Sequence, residues 1–256
     1  MIIKPIKTSI VDKYGDIISF LNENLKNEKI ETGDLIVITS KVISILEGGL
    51  IDLSMINASE TAIALGTEFG IEKRFSQVVI NEADQILGGA VGVIAASKSG
   101  IIAPYSGVDR SNIPENYAIP WPKDPPATAE IIKEYFKEEC NRNIGVIISD
   151  SQVVPIRKGT YGIALGIAGF NGIINIVGER DLFKKKLKIT CLNLADTLAT
   201  TANIMMGESD EQYPIVLIKD FPIQLTDTPA EKLTKDLHIN RYNCMYKQII
   251  DYSFLN

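Results

Sequence analysis

The chain has 256 residues, enough for one large domain or two small ones around a sizeable core. With 45% apolar and 23% charged residues it is an ordinary globular composition, and a net charge of −6 without a long Lys/Arg tract argues against a general nucleic-acid binder. Cys140, Cys191 and Cys244 show no C-x-x-C spacing, which argues against a zinc ribbon or disulfide framework, and a lone histidine, His238, excludes a multi-histidine metal centre.

Met1–Ile6 reads as a first strand, and Asp16–Leu25 carries helical apolar spacing at Ile17, Ile18, Leu21 and Leu25. Gly33-Asp34 turns into a strong strand, Leu35–Thr39. Ser59–Phe69 and Ile71–Ala83 read as helices separated by Gly70, a helix stop. Val91–Ala96 and Ile101–Ala103 bracket Ser99-Gly100 as a hairpin. Five prolines between Ile113 and Pro126 predict a rigid loop without regular structure, leading into a helix over about Thr128–Glu139.

Ile144–Ile148 is the next strand. Gly162, Gly166, Gly169 and Gly172 then punctuate an apolar stretch, YGIALGIAGFNG, and predict close packing against another backbone, with a subunit interface as one setting. Leu187–Leu192 reads as a strand, about Asn193–Met206 as a helix, Gly207–Glu211 as an acidic loop and Ile215–Ile218 as the last core strand. The tail beyond Phe221 is more polar, with a final helix expected over Arg241–Phe254. The class is α/β, of mixed α+β character. One unit over 1–256 is expected, or two lobes divided into a core of about 1–218 and a C-terminal segment 219–256.

No apolar run reaches the roughly 18–20 residues that cross a bilayer. The apolar part of MIIKPIKTSI is also too short for a signal peptide. A soluble, cytoplasmic protein with no membrane or nucleic-acid partner is expected.

The chemistry gathers elsewhere. There is no G-x-x-x-x-G-K-[ST] and no G-x-G-x-x-G after a strand, so any nucleotide needs a less common scaffold. In Ile147–Gly159 (IISDSQVVPIRKG) an apolar run ends in Ser149-Asp150-Ser151, and Arg157-Lys158 follow. Acid and hydroxyl oxygens suit a divalent metal, and cations suit phosphate. Ser106–Asn112 presents Asp109, Ser111 and Asn112 from one loop, and Glu208 would add a third carboxylate. Mg²⁺ takes one or two carboxylates plus phosphate oxygens and water, so this count suits a phosphate-bridging metal. Each segment alone also has the composition of a plain polar turn.

Together, IGVIISDS…IRKGTYGIALGIAG, ERDLFKKKL, ADTLATTANIMMGE, SKVISILEG, SGVDRSN and WPKDPPATAE resemble the coenzyme F420-0:gamma-glutamyl ligases, in that family's order and up to about Ile218. The resemblance implies a GTP-dependent ligase that joins a substrate carboxylate to the amine of L-glutamate through an acyl phosphate. It implies Mg²⁺ or Mn²⁺ and an intertwined homodimer. By match of motif, Asp109, Asp150 and Glu208 would hold metal, with Ser151 where the family usually has Thr. Thr8, Ser9, Ile10, Val11, Thr39, Ser40, Asn112, Gly207 and Glu208 would contact the nucleotide. Asp150 and Arg157 would carry the chemistry, with Lys158 beside Arg157 to offset the triphosphate.

Three departures bear on the substrate. Ile45 and Gly49 stand where the family has Lys and Arg, Val153-Val154 stand where it has Gly-Arg, and Tyr105 replaces Asn. Retained acids with lost polar groups point to altered recognition, so a folate-type polyglutamylating ligase and a non-catalytic nucleotide- or cofactor-binding relative stand as alternatives. A metallohydrolase using Asp109 and Asp150 is a further reading, disfavoured by the scarcity of histidine.

Overall fold

A computed structural model describes residues 1–248. Its helices are α1 (Ile17–Leu25), α2 (Ser40–Leu46), α3 (Glu60–Phe69), α4 (Lys73–Glu82), α5 (Pro125–Glu138), α6 (Leu194–Met206) and α7 (Ala230–Lys235). The first six strands are β1 (Ile2–Ile6), β2 (Leu35–Thr39), β3 (Ile51–Asp52), β4 (Gln85–Ala90), β5 (Val93–Lys98) and β6 (Ile101–Pro104). The rest are β7 (Tyr117–Ala118), β8 (Gly145–Gln152), β9 (Tyr161–Ala168), β10 (Ile173–Asn175), β11 (Cys191–Asn193) and β12 (Ile215–Lys219). The class is mixed α and β, as the sequence indicates.

Five strands form the central sheet in the order β1-β12-β2-β8-β9, with β2 and β8 parallel and the other pairs antiparallel. Near-continuous apolar runs build its middle, because a strand covered on both faces must be apolar at every position. Alternate side chains divide between two cores. Ile36, Ile38, Val146, Ile148, Ile215 and Leu217 meet α1, α2 and α5. Leu35, Val37, Ile147, Val216 and Ile218 meet α6. Helix α7 joins both cores, through Ala230 on one side and Leu233 on the other.

A second, smaller packing unit stands beside the sheet. The β4-β5-β6 meander packs on α3 and α4 through Phe69, Phe75, Val79, Ile94 and Val108. A fourth apolar cluster of Ala103, Trp121, Ile163 and Leu165 connects the meander to β9. Between Ile148 and Ser149 the register with β9 slips by one residue, since Ile148 pairs with Gly166 and Ser149 with Ala164. The bulge puts Leu165 in that connecting cluster. No helix among the described residues is long and apolar enough to cross a membrane.

Several expectations are corrected. Helix α5 begins at Pro125, inside the proline-rich stretch: first-turn N–H groups have no acceptor within the helix, so Pro125 and Pro126 lose nothing there, and Asp124 caps the turn by accepting from the Ala127 N–H at 2.9 Å. Strand β8 extends through Gln152, so Ser149-Asp150-Ser151 lie within a strand and not in a turn after it. The glycines of β9 do pack closely against other backbone, as expected, here within the chain: Gly162 faces the Ala199 carbonyl and Gly166 the Pro125–Pro126 backbone. The strand expected over Leu187–Leu192 is reduced to β11. Helices α2 and α7 and strand β4 were not anticipated. The expected final helix has a 3-10 turn at Arg241–Asn243 and extends to residues that lie outside the described ones.

Candidate functional site

The parallel pair β2 and β8 ends with Thr39 opposite Ser149. Carboxyl ends of parallel strands are where α/β sheets present ligand sites, because the chain leaves the sheet there in loops and helix starts. A cavity of about 670 Å³ opens at this edge. It is lined by Thr8, Ser9, Ile10, Val11, Thr39, Asp109, Asn112, Asp150, Ser151, Gly207 and Glu208, so most of the sequence-predicted residues share one space. Ser40 is buried behind it and hydrogen-bonds the Asp150 carboxylate. Arg157 and Lys158 do not line it. Arg157 sits in the exposed loop after β8, where its backbone N–H donates to the Val154 carbonyl. Sequence proximity to Asp150 did not carry over, because the strand continues past the acid before the chain turns.

Each acid is held differently. The Asp109 carboxylate pairs with Lys41 at 2.7 Å and accepts from the Ser111 hydroxyl at 2.7 Å. Burial works against its charge, but the Lys41 ammonium and these hydrogen bonds outweigh it and hold the carboxyl below its usual range. Asp150 has no such cation. Burial pushes its carboxyl up to about 6, with repulsion from Asp109 adding, against hydrogen bonds from Trp121 and Ser40. Glu208 accepts from Ser151 Oγ at 2.7 Å, Thr160 Oγ1 at 2.9 Å and Asn203 Nδ2 at 2.9 Å.

The loops are tied across the opening. Asn112 Nδ2 donates to the Ser209 carbonyl at 2.7 Å, and the Thr8 N–H donates to the Gln212 carbonyl at 3.1 Å. Asp109 exchanges backbone hydrogen bonds with Ile119, which fixes the loop that bears it. Gly207 has φ 74° and ψ −179°, a backbone state open essentially to glycine alone.

Four site residues went unassigned in the sequence reading: Lys41, Trp121, Thr160 and Asn203. Trp121 carried a usable signal, since a buried indole N–H needs a partner and the sequence has one tryptophan. The other three are ordinary polar residues until folding brings them to Asp109 and Glu208.

The cavity's charge balance bears on what it takes. Among the described lining residues, the carboxylates of Asp12, Asp109, Asp150, Glu208 and Asp210 face a single cationic side chain, Lys41. No three acids, cysteines or histidines among the described residues stand together as a complete metal cage. Hard oxygen donors in ones and twos, with excess negative charge, are of the kind that could hold a hard divalent cation such as Mg²⁺ or Mn²⁺.

Residues 5–220 match the model of the family described as F420-0:Gamma-glutamyl ligase. Among similar proteins, Coenzyme F420:L-glutamate ligase of Methanocaldococcus jannaschii is 42% identical over 208 residues, covering 81% of this chain and 83% of the relative. The protein of the same description from Methanothermobacter thermautotrophicus is 36% identical, covering 80% and 81%. That from Archaeoglobus fulgidus is 31% identical, covering 84% and 86%.

Proposed function

The chain belongs to the F420-0:gamma-glutamyl ligase family, and from that premise we propose that it ligates L-glutamate to an F420-type acceptor at the expense of GTP. The observation that carries the reading is the convergence of Asp109, Asp150, Ser151, Glu208 and the Thr8–Val11 loop on one cavity.

Amide formation from a carboxylate at neutral pH is uphill, so the acid must first be activated. An acceptor carboxylate oxygen attacks the γ-phosphorus of GTP, the bond to the β-phosphate oxygen breaks, and GDP leaves. The amine of glutamate then attacks the acyl carbon, phosphate departs with the C–O bond pair, and the nitrogen sheds a proton. Such transfers depend on positioning and charge neutralisation and need no protein nucleophile. Asp109, Asp150, Ser151 and Glu208 would hold Mg²⁺ or Mn²⁺, which supplies the positive charge that the lining lacks. Lys41 braces Asp109, and the Thr160–Asn203–Ser151 set fixes Glu208. The Asn112–Ser209 and Thr8–Gln212 ties hold the nucleotide loops together. Arg157, away from the cavity, is given no step.

An intertwined homodimer and a cytoplasmic setting belong to the same proposal. Exposed Leu182, Phe183 and Ile189 on the segment between β10 and β11 support the first, and free Cys140, Cys191 and Cys244 support the second. Ile45 lines the cavity where the family's lysine is expected, which favours a different carboxylated acceptor, such as a folate tail, as the second reading.

Mass spectrometry after incubation with L-glutamate, GTP, Mn²⁺ and a panel of F420-0 and folate acceptors tests this. A gain of one glutamyl unit with matching GDP release is expected. Thermal stabilisation by GTP and Mn²⁺ with every acceptor unchanged would instead identify a non-catalytic binder.

A further inference from the structure

Trp121 is almost fully buried in the cluster that joins the meander to β9, yet it reaches the floor of the cavity. Its Nε1–H donates to Asp150 Oδ2 at 2.5 Å. Three consecutive residues, Tyr105, Ser106 and Gly107, turn with φ of 53°, 58° and 75°, a left-handed run that costs free energy at each non-glycine position. The Ser106 hydroxyl is buried there without a partner. This turn lets the indole approach: a Cβ on Gly107 would fall within van der Waals overlap of Trp121 Cε2 and Nε1. Beyond the indole, the Lys123 N–H donates to Glu47 at 2.9 Å, and Glu47 follows α2 directly, so the strap carrying Trp121 is anchored to the same helix as Lys41.

We propose that Trp121 is a positioning residue: its indole N–H, seated on Gly107, fixes the Asp150 carboxylate in the orientation that receives a divalent cation. The physical ground is that a carboxylate ligand with one oxygen already hydrogen-bonded has lost its rotational freedom before the cation arrives. Partners of this outer kind are worth 10- to 100-fold in metal affinity. A strained left-handed turn lies next to it, and its Gly107 leaves the space that the ring occupies. The proposal rests on the reading of Asp150 as a cation ligand.

The only tryptophan of the sequence makes the contact directly observable. Excitation shifts electron density from the pyrrole to the benzenoid ring, so an anion beside Nε1 lowers the excited state. At pH 8, without ligands, Asp150→Asn is expected to move the emission maximum to shorter wavelength; an unchanged spectrum overturns the contact. Mn²⁺ alone is then titrated into the intact protein and free ion counted by electron paramagnetic resonance. Trp121→Phe, which keeps an aromatic ring but not the donor, and Gly107→Ala are each expected to weaken binding about 10- to 100-fold. Leu165→Ala, which loosens the same cluster without touching the donor, should leave Mn²⁺ affinity near wild type while lowering the melting temperature. Wild-type affinity in Trp121→Phe, or an equal loss in Leu165→Ala, overturns the positioning role. Equal Mn²⁺ binding by wild type and Asp150→Asn sinks the underlying cation reading instead, whatever the emission shows.

Discussion

Asp150 carries an unpaid electrostatic cost in the ligand-free protein. Its carboxyl sits at about 6 when folded, above the ordinary value of 3.8, so the folded state holds this proton more tightly than the unfolded chain. The sign follows: this group contributes stability as pH falls from about 6 towards 4, and withdraws it above 6. Allowing for partial solvation, the amount is on the order of 2 kcal/mol. Denaturant midpoints of wild type and Asp150→Asn, measured from pH 7.5 to 4.5, should converge at the acid end, with the variant more stable at neutral pH. Parallel curves would contradict the assignment. Asp109 acts in the opposite sense, since its lowered carboxyl adds stability above the ordinary carboxylate range and loses it below.

At the scale of elements, close backbone approach decides tolerance. A Cβ on Gly166 would lie 2.5 Å from the Pro125 carbonyl carbon, and neither β9 nor the first turn of α5 can move without disturbing the core. Gly166→Ala is expected to cost about 1–3 kcal/mol, seen as a lower melting temperature. Asp124→Ala removes the cap of α5 and should cost about 1 kcal/mol. Much of this layer was legible in the sequence. The apolar runs of β2, β8 and β12 were legible as strands, and the acid at the end of one such run, Asp150, lies at the cavity. What could not be read was contact between distant segments. Trp121 and Asp150 lie 29 positions apart and Asn112 and Ser209 lie 97 apart, and no local pattern encodes either pairing. Arg157, seven positions from the acid, does not line the cavity, because the direction of a loop is set by packing that spacing does not record.

For the whole molecule, the ties across the cavity opening predict that nucleotide and cation stabilise the fold together. At concentrations about 100-fold above their dissociation constants, ligands of the native state add about 2.7 kcal/mol. The melting temperature should rise with GTP plus Mn²⁺ and return to its starting value when the cation is chelated; chelation without effect would argue against a cation in the nucleotide site. Sedimentation of Leu182→Glu and Phe183→Glu variants against wild type tests the dimer, with a shift to monomer expected.

Strand β12, residues 215–219, lies between β1 and β2, the first two strands of the chain. A chain growing from the ribosome therefore carries two strand edges without their native partner for some 175 residues of synthesis, since its first two strands do not pair with each other. The strand that joins them also brings in the preceding loop, whose Gly207 and Glu208 complete the cavity wall. Such non-local closure is slow and leaves sticky intermediates. Nascent chains that stall before residue 215 should thus be dependent on chaperones and lack a complete cavity, gaining both a closed sheet and the cavity wall in one late step.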